Sequence, residues 1–238
     1  MIKKYDGTQW SEPDTVSTGL PGSMHNRLVV DNNNKLYCFW YNGIWGGKIF
    51  YRTLENGNWG EITMPFNNAD ELYFLNKVIC DKFNNLHCQG AHQYQEQSYQ
   101  QIMYFTYNTV WSSFSIVNQG AAWAGSDMAL ENGSIPHIAW RQQTSNTIPP
   151  NDGTSYSYLN NNHWTDPYLL VEDPSDQAII VDKNNVVYII DNKKTESGFQ
   201  QVQYKKTASN WIGEIIGTNS TGFYEHILLS SDTVLFLG

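Results

Sequence analysis

Apolar and polar residues follow one another along this chain in short runs that never settle into a helical period. RLVVD from Arg27, KLYCFWY from Lys35 and KIFYRTL from Lys48 are rich in β-branched and aromatic side chains. They are separated by NNN and NGIWGG, and ENGN follows the third before WGEITMPF. Such text predicts strands joined by turns, because Asn and Gly supply the positive φ that tight hairpins need. No stretch combines 3.6-residue periodicity with helix caps, so helices are expected to be nearly absent.

The pattern repeats. An acidic turn residue falls at Asp31, Asp81, Glu131 and Asp182, and a tryptophan at Trp10, Trp59, Trp111, Trp164 and Trp211, so two independent marks share a period near fifty residues. Each period reads strand A, turn, strand B, loop, strand C, turn, strand D. A repeated four-stranded unit of this length predicts a β-propeller blade. Blades are expected at about 25–66, 76–118, 126–171 and 177–217. The chain ends with text for strands A and B (224–238) and begins with text for C and D (1–17). Joining these halves gives a fifth blade, closes the ring and removes exposed sheet edges. The expectation is therefore an all-β, five-bladed β-propeller, one domain over residues 1–238, four antiparallel strands to a blade.

Composition narrows the partners. Aromatics make up 14% of the 238 residues and charged residues only 16%, with a formal charge of −9. The 14 Lys and Arg form no basic run, so nucleic acid is not an expected partner. MIKKYDGTQW has no apolar core of a signal peptide, and no 18-residue apolar stretch exists, so no membrane insertion is expected. That fits a cytoplasmic protein, a phage product or a domain excised from a longer surface protein. Cys38, Cys80 and Cys88 make no disulfide framework and read as core residues. DNNN and DKNN are oxygen-rich, but the EF-hand spacing is missing, so these acids read as turn residues; no metal and no cofactor are expected. Tyr37, His87, His137 and Tyr188 share one position in strand B, which points to interblade packing.

The hairpins KYDGTQWSE, TLENGNWGE, YLNNNHWTD and KTASNWIGE resemble the Asp-box, or BNR, repeat of sialidase-like propellers. Asp6, Gly7 and Trp10 match its core best, Glu55, Gly57 and Trp59 more loosely, and IPHIAW at 135–140 looks like the second strand of such repeats. In length and period the chain also resembles compact five-bladed lectin propellers of the tachylectin-2 type. The resemblance implies the fold, and carbohydrate recognition as the activity often carried on it. It does not extend to sialidase chemistry: an arginine triad would consume Arg27, Arg52 and Arg141, every arginine in the chain.

The B–C and D–A loops share one end of the blades and are long and varied, which is where recognition is built on a constant scaffold. The repeat tryptophans are expected in the core. Trp40, Trp45, Trp123 and Trp140 remain, all at or beyond the long-loop ends of their strands. Trp40 and Trp140 occupy a position held by Gly90 and Ile190 in the other blades, so two readings stand for them: stacking on a sugar ring, or packing on the neighbouring blade. Five residues before each acidic turn come Asn26, Asn76, Ser126 and Gln177, with His226 as the fifth equivalent. Asp127, Asp176 and Glu225 stand beside three of them.

The leading expectation is a non-catalytic, lectin-like propeller binding a glycan or cell-surface carbohydrate. Its ligand-binding residues would be Trp45, Trp123, Trp40, Trp140, Asn26, Asn76, Gln177 and His226. The alternatives are a glycoside hydrolase whose acid and base come from Asp127, Asp176 and Glu225, and a virion or interaction component that meets a protein partner with its long-loop face.

Overall fold

The structure, a computed structural model, describes residues 1–17, 23–43, 47–66, 71–94, 99–118, 122–143, 152–172, 174–196, 198–208, 210–219, 226–230 and 233–237. Every regular element among them is a β-strand, and neighbouring strands pair antiparallel in chain order. The first sheet holds β1 (Ser23–Val30), β2 (Leu36–Asn42), β3 (Lys48–Glu55) and β4 (Asn58–Trp59). The second holds β5 (Glu71–Cys80), β6 (Leu86–Tyr94) and β7 (Gln101–Asn108), its outer place shared by β8 (Val110–Trp111) and β9 (Ser115–Ile116). The third repeats this with β10 (Ala122–Glu131), β11 (Ile135–Gln143), β12 (Asp152–Asn160), β13 (His163–Trp164) and β14 (Tyr168–Glu172). The fourth is β15 (Pro174–Val181), β16 (Val187–Thr195), β17 (Gly198–Lys206) and β18 (Trp211–Asn219). A two-stranded pair, β19 (His226–Ser230) with β20 (Thr233–Leu237), follows.

Turn chemistry fixes where the strands reverse. Asp31 Oδ1 accepts the backbone N–H groups of Asn33 and Lys35, each at 2.9 Å. Asp81 holds Phe83 and Asn85 in the same way, and Asp182 holds Asn184 and Val186. Asn34, Asn84 and Asn185 take the left-handed conformation that closes each turn. Successive turns are also stitched together. Asn32 N–H donates to Asn84 Oδ1, Lys82 N–H to Gly133 O and Asn132 N–H to Asn185 Oδ1, so sheets one to four are locked in order at this end.

The core lies between sheets. Phe39, Tyr41 and Ile49 pack with Tyr73, Leu86 and Phe105 between sheets one and two. Ile102 and Tyr104 meet Met128, Ile138 and Trp140 between two and three, and Ala139 and Tyr156 meet Ile179, Val187 and Ile189 between three and four. Of the repeat tryptophans expected in this core, Trp59, Trp111, Trp164 and Trp211 pack against it half-buried, at the outer edges where strand four of one sheet covers strand three of the unit before. Trp111 packs edge-on against Tyr51, Trp164 against Tyr104 and Trp211 against Tyr156. Trp10 is 65% exposed.

The N-terminal segment copies the outer half of a sheet. Tyr5 bridges Trp10 and Ile2 bridges Asp14, as Leu54 pairs with Trp59 and Tyr51 bridges Thr63. Against sheet one it buries Val16 with Cys38 and Trp40, while Ile2 and Trp59 pack alongside.

Candidate functional site

All four first strands break register at one place. The irregularity falls between Met24 and Arg27 in β1, Leu75 and Lys77 in β5, Ala122 and Ser126 in β10, and Pro174 and Gln177 in β15. A β-bulge bends its strand and re-aims side chains, and recurs next to binding sites. Here it takes in Asn26 and Asn76, five before their acidic turns, and ends just before Ser126 and Gln177, which stay paired with Trp140 and Asp191, toward the long-loop ends of the strands. Gly90 is needed at this level, since a Cβ there would stand 1.9 Å from Phe74 O.

The residues at this level form a hydrogen-bonded collar running from sheet to sheet. Arg27 Nε donates to Asn76 O, and its Nη1 to Asn26 O at 3.1 Å. Asn76 Nδ2 donates to Ser126 Oγ at 2.6 Å, as does Gln89 Nε2 from β6. Lys77 Nζ pairs with Asp127 Oδ1 at 3.0 Å, and Asp127 Oδ2 accepts Ile179 N–H from sheet four at 3.1 Å. Burial lowers the Arg27 pKa, a shift opposed by the charge of Asp127. Asn26 is exposed, Lys77 keeps 42% of its side chain accessible, and Asn76, Ser126 and Gln177 are half-buried.

Buried polar groups back this collar. Asn118 Oδ1 accepts Ile102 N–H at 2.7 Å. The Tyr73 hydroxyl donates to Glu71 Oε2, which lies 3.4 Å from His92 Nε2. Burial pulls the His92 pKa down despite Glu71. Thr154 Oγ1 in sheet three donates to Asp191 Oδ2 in sheet four. At the opposite, turn end, His87 joins Asp81 Oδ2 (3.2 Å) to Tyr104 Oη (2.6 Å), and His137 joins Glu131 Oε2 (2.9 Å) to Tyr156 Oη (2.6 Å). These histidines were expected to serve interblade packing; their hydrogen bonds run within their own sheets, because a ring nitrogen pair can satisfy a turn acid and a phenol at once.

Several expected ligand residues are relocated. Trp40 and Trp140 are 1% and 0% exposed, so neither presents an indole face to a sugar. Their side of β2 and β11 faces the preceding unit, where Trp40 meets the N-terminal segment and Trp140 packs with Ile102 and Tyr104. The pairing register makes Asp191, not Ile190, their equivalent in sheet four, since Ser126 faces Trp140 and Gln177 faces Asp191. Asp127 is present at the collar but held by two partners. Trp45 and Glu225 lie outside the described residues, as do the side chains of Trp123, Asp176 and His226. The collar charges Arg27, Lys77 and Asp127 were not anticipated as a set; their common position, four before the acidic turn in three successive periods, was the signal.

Among the described residues no group of three or more His, Cys, Asp or Glu could hold a metal ion, and no helix is long and apolar enough to cross a membrane. No family model and no curated protein matches the sequence. Solved structures do. An ulvan lyase of a new polysaccharide lyase family superposes with a TM-score of 0.65 at 10% identity over 88% of this chain and 58% of its own. A Hadza microbial sialidase gives 0.60 at 9% identity over 84% and 47%. The Penicillium chrysogenum α-L-arabinanase complexed with arabinobiose gives 0.55 at 10% identity over 86% and 69%. The chain thus spans about half of the first two. At these identities the likeness defines the fold, a propeller-type array of antiparallel four-stranded sheets.

Proposed function

We propose that the chain is a non-catalytic carbohydrate-binding propeller whose collar and long loops hold a glycan. Asn26, Asn76, Gln177 and His226 would donate and accept hydrogen bonds to sugar hydroxyls, and Trp45 and Trp123 would supply apolar faces for the ring. The observation that supports this reading is the break in register at one level of the first strands of sheets one to four, at or just before Asn26, Asn76, Ser126 and Gln177. Neighbours named as a lyase, a sialidase and an arabinanase, all carbohydrate-active proteins, support a glycan as the ligand class. Binding subsites repeated from blade to blade on one rigid body would gain avidity on a glycan surface.

The same proposal takes the ring to have five blades, the fifth made from the N-terminal hairpin and the β19–β20 pair. It is supported by the register that residues 2–14 share with residues 51–63, and by β19 lying beside β15.

The second reading is a glycoside hydrolase using Asp127, Asp176 and Glu225, favoured by the enzymatic character of the neighbours. Against Asp127 as acid or base stands its engagement with Lys77 and the Ile179 N–H. A broad glycan array separates the two when run beside an aryl-glycoside assay. Binding without turnover is expected; turnover abolished by Asp127→Asn with unchanged melting temperature would replace the lectin reading with the enzyme. A stable protein complex insensitive to free sugar, with a blank array, would replace both.

A further inference from the structure

A cleft of about 430 Å³ opens between sheets three and four at the turn end, away from the collar, lined by Glu131, Asn185, Val186, Val187, Lys206 and Thr207. Two of these residues break the repeat at the same seam. Asp31, Asp81 and Asp182 each accept two backbone N–H groups of their own turn. Glu131, one methylene longer, reaches His137 Nε2 at 2.9 Å, as Asp81 reaches His87 at 3.2 Å, but differs from the three aspartates in making no side-chain bond to the N–H groups of its turn. The position of Lys206 is set by its pairing with Trp211 and is held by Leu54, Tyr107 and Leu159 in the other sheets. Packing therefore requires neither a long acid nor a cation here.

The two are joined by one proton-ordered chain. Lys206 Nζ can only donate, and donates to Tyr156 Oη at 3.0 Å. The Tyr156 hydroxyl then donates to His137 Nδ1 at 2.6 Å, which leaves the imidazole proton on Nε2 to bind Glu131 Oε2. The ammonium sits 4.2 Å from the centre of the Tyr158 ring, within cation–π range. Both ends of the chain line the cleft, yet no direct ion pair joins Lys206 to Glu131. Asn185 Oδ1 is engaged by Asn132 N–H, so its amide NH₂ is what it offers a ligand. The cleft thus presents two donors, Lys206 Nζ and Asn185 Nδ2, and a carboxylate acceptor, Glu131, with Val186 and Val187 alongside.

We propose that this cleft is a second ligand site, taking a small carboxylate with a hydroxyl or ammonium group beside it. The carboxylate would meet Lys206 and Asn185, and the neighbouring donor would meet Glu131. An acidic sugar and an amino acid share this chemistry. The site is separate from the collar and stands whether or not that face binds a glycan.

The test uses the whole chain, with glucuronate, glycine and glucose as probes. Amide-shift mapping of the wild-type protein should show both carboxylates, and not glucose, moving the Asn185 side-chain and Thr207 backbone signals. Lys206→Met, which keeps the aliphatic stem on Tyr158, should weaken carboxylate binding about tenfold or more, and Lys206→Arg should retain most of it. Glu131→Gln distinguishes the sources, weakening glycine more than glucuronate if an ammonium is the preferred neighbour. No shift at Asn185 or Thr207 with either carboxylate, an equal response to glucose, or a folded Lys206→Met protein that binds as wild type would each overturn the proposal. Should Lys206→Met not fold, the wild-type map and Lys206→Arg decide the matter.

Discussion

The indole of Trp59 donates through Nε1 to Asp14 Oδ2, and 105 positions further on Trp164 makes the same contact to Ser115 Oγ at 3.2 Å. Asp14 lies four residues after Trp10 and Ser115 four after Trp111, so the N-terminal hairpin meets sheet one as sheet two meets sheet three. The chain start is thus part of the scaffold. Trp59→Phe should cost about 1 kcal/mol, the worth of one partly exposed hydrogen bond. Deleting residues 1–17 should cost far more, because it uncovers Trp40 and Cys38. Urea unfolding of the three proteins ranks them.

Trp40 and Trp140 act as seam packing. Either one changed to Ala should lose about 3–5 kcal/mol. In the folded protein neither should be reached by an aqueous fluorescence quencher, with or without sugar. Quenching measured on proteins retaining single tryptophans checks this.

Asp81 and Asp182 perform one turn task, but Asp81 also holds His87. Asp81→Ala should therefore destabilise by about 2–4 kcal/mol, since it strands a buried imidazole nitrogen as well as two N–H groups, and Asp182→Ala by about 1 kcal/mol. Thermal or urea denaturation distinguishes them. Equal losses would contradict the role given to His87.

His137 is buried beside Lys206, and these causes, burial first, take its pKa down to about 3 from 6.5. Burial lowers His87 and His92 as well. The unfolded chain therefore binds more protons than the folded one across this window. Stability from His137 is complete above about pH 6.5 and is lost as the pH falls from there toward 3. Urea midpoints measured down this range should decline, and the His137 ring should keep its Nε2–H tautomer until the protein unfolds.

The period, the turns and the strand order were legible because local chemistry carries them: Asp, Asn and Gly at fixed offsets, and β-branched runs between. Side-chain burial was less so. Both faces of these sheets are covered by neighbours, so alternation along β2 or β11 does not say which side meets water, and Trp40 reads equally as a surface or a seam residue. The bulges leave no compositional trace, since one or two extra residues in a strand change no pattern. The last period, at 51 residues, also allowed a one-residue slip that put Ile190 where Asp191 belongs. The Glu131–His137–Tyr156–Lys206 chain joins three sequence segments and becomes visible only when the sheets stack.

The central claim, that glycans are held at the bulged collar, is tested most directly by an amide-shift map with the strongest ligand from the array. Signals of Asn26, Asn76, Ser126 and Gln177 should move together, and the paired change Asn76→Ala with Gln177→Ala should abolish the shifts while leaving the melting temperature within a few degrees. Shifts confined to the turn end, or a bound sugar indifferent to both substitutions, would contradict it.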